Sequence, residues 1–526
     1  MSLADFRMAI ILHPVICGTF LGIVVTYILK GRVFDRGNME VSATWKKIEE
    51  LSNRFFHSDL FILIMAFLSV SGWVISVWAD GAWVYFLFIM IIMTIFMLCT
   101  CPDSTPIFAL MFFMLPTANI KAQEQFSNYT WLIYPCIVLV LSIVFNLIRF
   151  KPNFKEVLEP GKMRKTTFSM FLILIPMILG GLFKWWRNWT WMLIYAALFI
   201  VLSFAFIYFL AVGKDKIKDR RKLIKTLMKM MVAAGLVVSI QIIVFYINLG
   251  SFQALMTCIS DKGLNLGWGS PNPVAATLIL YMPANFYFII SKNKYTFLFI
   301  LKAALEFMLM VSASSRGALL FSTIGMVILS VYVFIKSENK LQMTFTFGAV
   351  FGVAIGIFVG FYQTFFHTII ERLSSFGMDD NGRFDIYLYG LNVFLRHPVF
   401  GSGWDFGIGL QHVNFSPYLF HSTIIQIAAC SGIVGLLCYA YYYYARYRTF
   451  FIEKSPYCYV LLACMWIFEG YAMIDPILFF PPTFFIQLLI MSFVMEMQVD
   501  DSYCRAFKEN GRVMKGIRKQ SKSEFL

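Results

Sequence analysis

Apolar residues run along this chain in long blocks separated by short polar segments. The blocks fall at 9–29, 60–79, 82–99, 131–148, 167–183, 191–212, 230–249, 274–290, 295–313, 317–335, 342–366, 419–445, 456–474 and 477–495, with a shorter one at 106–118. Crossing a bilayer core as a helix takes about 20 apolar residues, and a helix satisfies its own backbone there. The pattern therefore predicts an all-α polytopic membrane protein with about 14 transmembrane helices. One polar connection stands apart: 367–418 runs for about 50 residues, well beyond the usual connection length. Within it Phe384, Tyr387, Leu388, Leu391 and Phe394 recur at helical spacing, which predicts a short helix lying on the surface.

Charge then orients the pattern. Roughly three-quarters of the 44 lysines and arginines lie in seven segments, at 30–59, 149–166, 214–229, 292–294, 336–340, 446–454 and the tail from 497. Positive loops stay cytoplasmic. With these segments inside, the helices alternate from about 131 onward and place 251–272, 312–316 and the long loop 367–418 outside. The N-terminal side stays open: either Met1 lies outside or one early run does not cross. The expected organisation is N-terminal transmembrane helices over 1–260, a core over 261–445 that includes the outer loop, last helices over 446–496 and a basic cytoplasmic tail over 497–526.

Composition agrees. The chain is 59% hydrophobic and 14% charged with mean hydropathy +0.72, outside the range of ordinary soluble domains. The net charge of +15 is explained by topology and contact with anionic membrane lipids, so no nucleic-acid partner is expected. Of the ten cysteines only Cys258 falls in an outer segment, which leaves an external disulfide without a second half. The first apolar run lacks a basic leader and reads as an anchor helix.

Chemistry concentrates in the outer segments. Ser314-Ser315-Arg316-Gly317 joins two apolar helices; it reads either as a tight turn with a snorkelling arginine or as a phosphate contact that small neighbours let come close. Asn265 to Pro273 is rich in glycine and proline. Asn272 could cap the next helix, or Trp268 and Asn272 could line a sugar site. In the long loop, Arg383 stands at the head of the expected helix, where helix-end N–H groups also favour anions. That helix ends at Arg396-His397-Pro398, and Gly401, Gly403, Gly407 and Gly409 follow as a flexible segment open to close approach. His421 heads an apolar helix at the water boundary, where an imidazole can move protons at neutral pH. Within the membrane, Lys302 and Glu306 are four apart and can pair. Glu469 and Asp475, near the outer end of a late helix, could meet a sugar or another helix. The acids of the loop, Asp385 among them, show no metal-ligand spacing, so no metal or cofactor is expected.

In combination, Asn272 before a helix, Ser315-Arg316-Gly317, Arg383, His397-Pro398-x-x-Gly401-x-Gly403, and His421 followed by Ser431-Gly432-Ile433-Val434-Gly435-Leu436 resemble the O-antigen ligase and polymerase superfamily, most strongly over about 260–440. Two positions depart from its pattern: Ser422 follows the histidine in place of asparagine, and Tyr387 stands where tryptophan is usual. The resemblance implies a metal-independent, inverting glycosyltransferase of the bacterial cytoplasmic (inner) membrane, serving cell-envelope polysaccharide biosynthesis with its catalytic loop outside. The donor would be an undecaprenyl-diphosphate-linked glycan and the acceptor a glycan or lipid, with other polysaccharide-assembly proteins as partners. Arg316 and Arg383 would neutralise the leaving diphosphate and His421 would be the base. Arg396, His397 and His412 are further substrate-binding candidates, with Trp268 and Asn272. A lipid-linked oligosaccharide flippase is the rival class, but it would spread cations through both halves of the fold. A peptidoglycan-type polymerase would use an outer-loop acid such as Asp385 as base. Between ligase and polymerase, the reading leans to polymerase, since nothing points to a lipid A core acceptor.

Overall fold

The computed structural model describes residues 43–120, 133–158, 164–180, 189–217, 219–291, 295–337, 340–341, 343–348, 352, 383–404, 420–452, 455–475, 477–479 and 482–498. The helices are α1 (Ala43–Phe56), α2 (Asp59–Trp78), α3 (Trp83–Thr100), α4 (Ile107–Thr117), α5 (Ile133–Phe150), α6 (Phe154–Leu158), α7 (Lys165–Leu179), α8 (Trp189–Lys216) and α9 (Arg220–Asn248). They continue as α10 (Phe252–Ser260), α11 (Pro271–Tyr281), α12 (Asn285–Ile290), α13 (Thr296–Ser312), α14 (Arg316–Lys336), α15 (Arg383–Arg396), α16 (Thr423–Ile452), α17 (Pro456–Ala472) and α18 (Thr483–Gln498). No strand occurs among the described residues.

Among the described residues seven helical stretches, one of them α11 and α12 together (Pro271–Ile290), are long and apolar enough to cross a membrane, and shorter apolar helices such as Ile107–Thr117 and Thr483–Gln498 pack among them. The runs expected at 9–29 and, for the most part, 342–366 lie outside the described residues, as does the tail from 499; the other expected runs fall on helices, with 274–290 divided between α11 and α12 and 477–495 becoming helical only from Thr483. Local signals explain the starts. Ser58, Asp219 and Ser251 each cap a helix through a side-chain oxygen that accepts a backbone N–H three residues on, and Pro271 and Pro456 occupy first-turn positions where no N–H is needed.

Polar contacts sort the helix ends into two faces. On one, Arg149 pairs with Glu49, Lys229 with Asp59, and Arg164 with Glu496, while Gln498 Nε2 donates to Arg220 O. Those contacts join Lys- and Arg-rich segments that the charge pattern assigns to a single side, or, at Glu496, one such segment and the residue just before another. At the opposite end, Trp73 Nε1 donates to Leu266 O (2.7 Å) and Thr423 Oγ1 to Ala472 O (2.5 Å). Between the faces, buried charges are paired, as the low dielectric requires. Lys302 bonds Glu306, whose other oxygen accepts from Asn285 (2.6 Å). Arg446 bonds Glu469 and lies over the rings of Tyr442, Tyr443 and Tyr447.

One irregularity shapes the site. α16 is broken at Gly432, whose φ of 64° and ψ of −159° belong to a region open essentially to glycine alone. The segment after α15 threads into this break: Ile433 N–H donates to Pro398 O (2.8 Å), Ser402 N–H to Ala429 O (2.8 Å) and Gly403 N–H to Cys430 O (2.9 Å). A Cβ at Gly401 would lie 2.3 Å from the Cys430 carbonyl carbon, and one at Gly432 2.3 Å from Val399 O. The close approach expected of Gly401 and Gly403 is therefore to the chain's own backbone. Where the sequence suggested flexibility, the structure shows a backbone lock that seats α15 against α16. Gly407 and Gly409 lie outside the described residues.

Candidate functional site

Asp475 is the centre of the second face. It follows α17, and its side chain is 6% exposed. Asn272, one residue into α11, donates from Nδ2 to Asp475 Oδ2 at 2.7 Å, and Tyr471 Oη donates to the same oxygen at 3.2 Å. Ser315 Oγ lies 2.9 Å from Tyr471 Oη; with the phenol proton directed to Asp475, the serine hydroxyl is the donor. Arg383, the first residue of α15, donates from Nη1 to Ile474 O (3.2 Å) and brings Nη2 to 3.8 Å from Asp475 Oδ2. His421 Nδ1 lies 3.9 Å from Asp475 Oδ1. Asn272, Arg383 and His421 thus converge from three helix starts on one carboxyl group. Arg316 opens α14 between Ser315, bonded to Tyr471, and Gly317, whose Cβ would meet Ile474 and Tyr471 at 2.5 and 3.0 Å, so its turn rests on the same last turn of α17.

His421 is held by its neighbours in a conformation it would not choose. Its φ is +49°, a left-handed value that L side chains avoid. Tyr387 Oη donates to its carbonyl (3.0 Å), Gln426 Oε1 accepts the N–H of Phe420 (2.9 Å), and Thr423 is tied to α17 through Ala472 O. Tyr387, the departure from tryptophan, gains a hydroxyl that tryptophan lacks and uses it here. Among the described residues Nδ1 is buried with no hydrogen-bond partner, yet the side chain is 37% exposed, so the open edge of the ring is the one away from Asp475. Burial holds the imidazole below its ordinary 6.5, Asp475 pulls it back up, and Arg383 pushes it down. Burial raises the Asp475 carboxyl above its ordinary 3.8, opposed by the positive charges of His421 and Arg383, the Tyr471 bond and Lys262. A mostly neutral imidazole at neutral pH, backed by an acid, is an arrangement suited to proton uptake.

The remaining candidates fall elsewhere. Arg396 lies at the far end of α15, and 14 residues at 1.5 Å each put it roughly 20 Å from Arg383. It is exposed, and His397 beside it closes the helix through its N–H to Val393 O (3.1 Å). Trp268 is 8% exposed and donates from Nε1 to Gln241 Oε1 (3.0 Å), which makes it part of the packing that shapes the loop before Asn272. His412 lies outside the described residues. Asp385 is exposed on the first turn of α15. Sequence reasoning left Asp475 undecided between a sugar and a partner helix; an acid just past an apolar helix on the face that carries Arg383 and His421 was the available signal.

The fold and this site define a helical membrane protein with Asn272, Arg383 and His421 gathered around the buried Asp475 carboxyl group at one end of the bundle. Residues 301–440 match the family model described as O-antigen ligase, so over that segment the chain is similar to the family whose motifs it resembles. The match takes in Arg316, Arg383 and His421. No curated protein matches the chain.

Proposed function

We propose that the protein is a membrane glycosyltransferase that transfers or polymerises glycan units carried on undecaprenyl diphosphate, at the outer face of the bacterial cytoplasmic membrane. The observation that carries the reading is the convergence of Arg383 and His421 on Asp475, inside and beside the O-antigen ligase match. Arg383 and Arg316 hold the donor diphosphate and offset the charge that grows on it as the glycosidic bond breaks. The acceptor hydroxyl gives its proton to the exposed edge of His421 as its oxygen attacks the anomeric carbon from the side opposite the leaving diphosphate, so configuration inverts. Asp475 faces Nδ1, orients the ring and stabilises the imidazolium that forms. A 3.9 Å separation closes to a hydrogen bond by rotation of either side chain, as such contacts do once substrate is bound. Polymerisation of a surface-polysaccharide repeat is the favoured form of the reaction.

The pH dependence of transfer by the purified protein tests this arrangement. A base must be unprotonated, so activity falls as pH drops through the His421 value, and that acid limb lies below 6.5. Because Asp475 raises the histidine, Asp475→Asn moves the limb to still lower pH and cuts the maximal rate. EDTA leaves both enzymes unchanged. An acid limb unmoved by Asp475→Asn contradicts the pairing, and a rate abolished by EDTA contradicts metal-independent transfer.

A further inference from the structure

Four non-glycine residues among the described ones have positive φ, and three of them surround this site: His421 (49°), Ser314 (54°) and Lys262 (55°). Backbone of this kind is unfavourable and gathers where function requires it. His421 is the base in the reading above, and Ser314 Oγ donates to Ile259 O (3.1 Å), fastening α10 to the turn before α14. Lys262 has no part in that reading. It lies just past the end of α10, where Asp261 N–H donates to Thr257 O (2.8 Å) and Gly263 N–H to Cys258 O (2.7 Å). A left-handed residue after a helix end is ordinarily glycine. Here the glycine, Gly263, comes one residue too late, and a lysine occupies the unfavourable position.

Neighbouring contacts hold the backbone that carries this lysine beside the site. Ile259 is bonded by Ser314, Ser315 bonds Tyr471, and Tyr471 bonds Asp475, so the end of α10 is tied to the same carboxyl group as Arg383 and His421. Asp475 also feels the positive charge of Lys262. We propose that Lys262 is a third cation of the substrate site, delivered from α10, whose ammonium binds an anionic oxygen of the lipid-linked donor. This rests on the glycan-transfer reading and deepens it. The shared chemistry is a phosphate or carboxylate oxygen, from either the diphosphate or an acidic sugar of the glycan. An ammonium is a point charge and suits one such oxygen without the planar fork of an arginine.

The test compares full-length wild type, Lys262→Gly and Lys262→Arg, with undecaprenyl diphosphate alone as binding probe and a lipid-linked unit carrying an acidic sugar as substrate. Glycine removes the charge and also relieves the left-handed backbone. The proposal expects Lys262→Gly to weaken anion binding roughly tenfold, the loss typical of one contact of about 1.4 kcal/mol, while its melting temperature stays equal or rises. Lys262→Arg regains most of the binding. If binding of undecaprenyl diphosphate weakens, the contact is to the diphosphate; if only KM for the acidic donor rises, it is to the sugar. Unchanged binding and KM overturn the proposal. So does a shift of the acid limb alone, which would make Lys262 a counter-charge for Asp475, or a lower melting temperature in Lys262→Gly, which would make it a structural residue. Failure of wild type to bind or consume the donor sinks the transfer reading and this proposal together; an active wild type beside an unaffected Lys262→Gly sinks this proposal alone.

Discussion

Purified His421→Ala is expected to bind the lipid-linked donor normally and to lose transfer by roughly 10²–10⁴-fold, the range for a general base. Lipid-linked units then accumulate in cells while long polymer disappears. The backbone at this position supplies a second readout. Alanine keeps the cost of a left-handed φ, whereas His421→Gly relieves it, so the glycine variant is expected to be as inactive as alanine yet to melt no lower than wild type. Inactivity without instability separates a base from a helix-start residue that merely holds the fold. Transfer by His421→Ala within a few-fold of wild type would demote the histidine.

Arg383→Ala is expected to weaken donor binding by about 2 kcal/mol, roughly thirtyfold, because a charged hydrogen bond to the diphosphate is lost at a site only partly open to water. The guanidinium is 31% exposed, which keeps the figure below that of a fully buried contact. Arg383→Lys recovers part of it, since a lysine cannot reproduce the fork. Arg383 also lowers the His421 pKa, so its removal moves the acid limb of the rate profile upward, opposite to the effect of Asp475→Asn. Arg316→Ala behaves like Arg383→Ala, and the double variant falls short of the sum if both hold one diphosphate. Normal donor binding by Arg383→Ala would remove the clamp from the account.

Much of this architecture is legible because a membrane imposes simple rules on sequence. Apolar runs had to be helices, and the basic segments had to share a face. The pairs Arg149–Glu49 and Lys229–Asp59 join those segments as expected. Asn272, Arg383 and His421 could be named one by one because each stands where a helix begins at the other end of the bundle. What brings them together could not be read. Asp475 reaches them only because the end of α17 meets the start of α16 through Thr423 and Ala472, a long-range contact with no local signal. Gly401 and Gly403 looked like openings for a ligand, since a glycine pattern does not say what approaches it; the partner is the break at Gly432. Trp268 was ambiguous in the same way until its indole was seen to donate to Gln241. The distance of Arg396 from Arg383, by contrast, follows from helix length alone.

The most direct test of the central claim is the product of a single turnover by the purified protein, given an undecaprenyl-diphosphate-linked glycan of known anomeric configuration and a glycan acceptor. The account predicts one new glycosidic bond of the opposite configuration for each undecaprenyl diphosphate released. Retained configuration would contradict displacement by an acceptor activated at His421, and donor carried across a vesicle membrane with no bond broken would contradict transfer altogether.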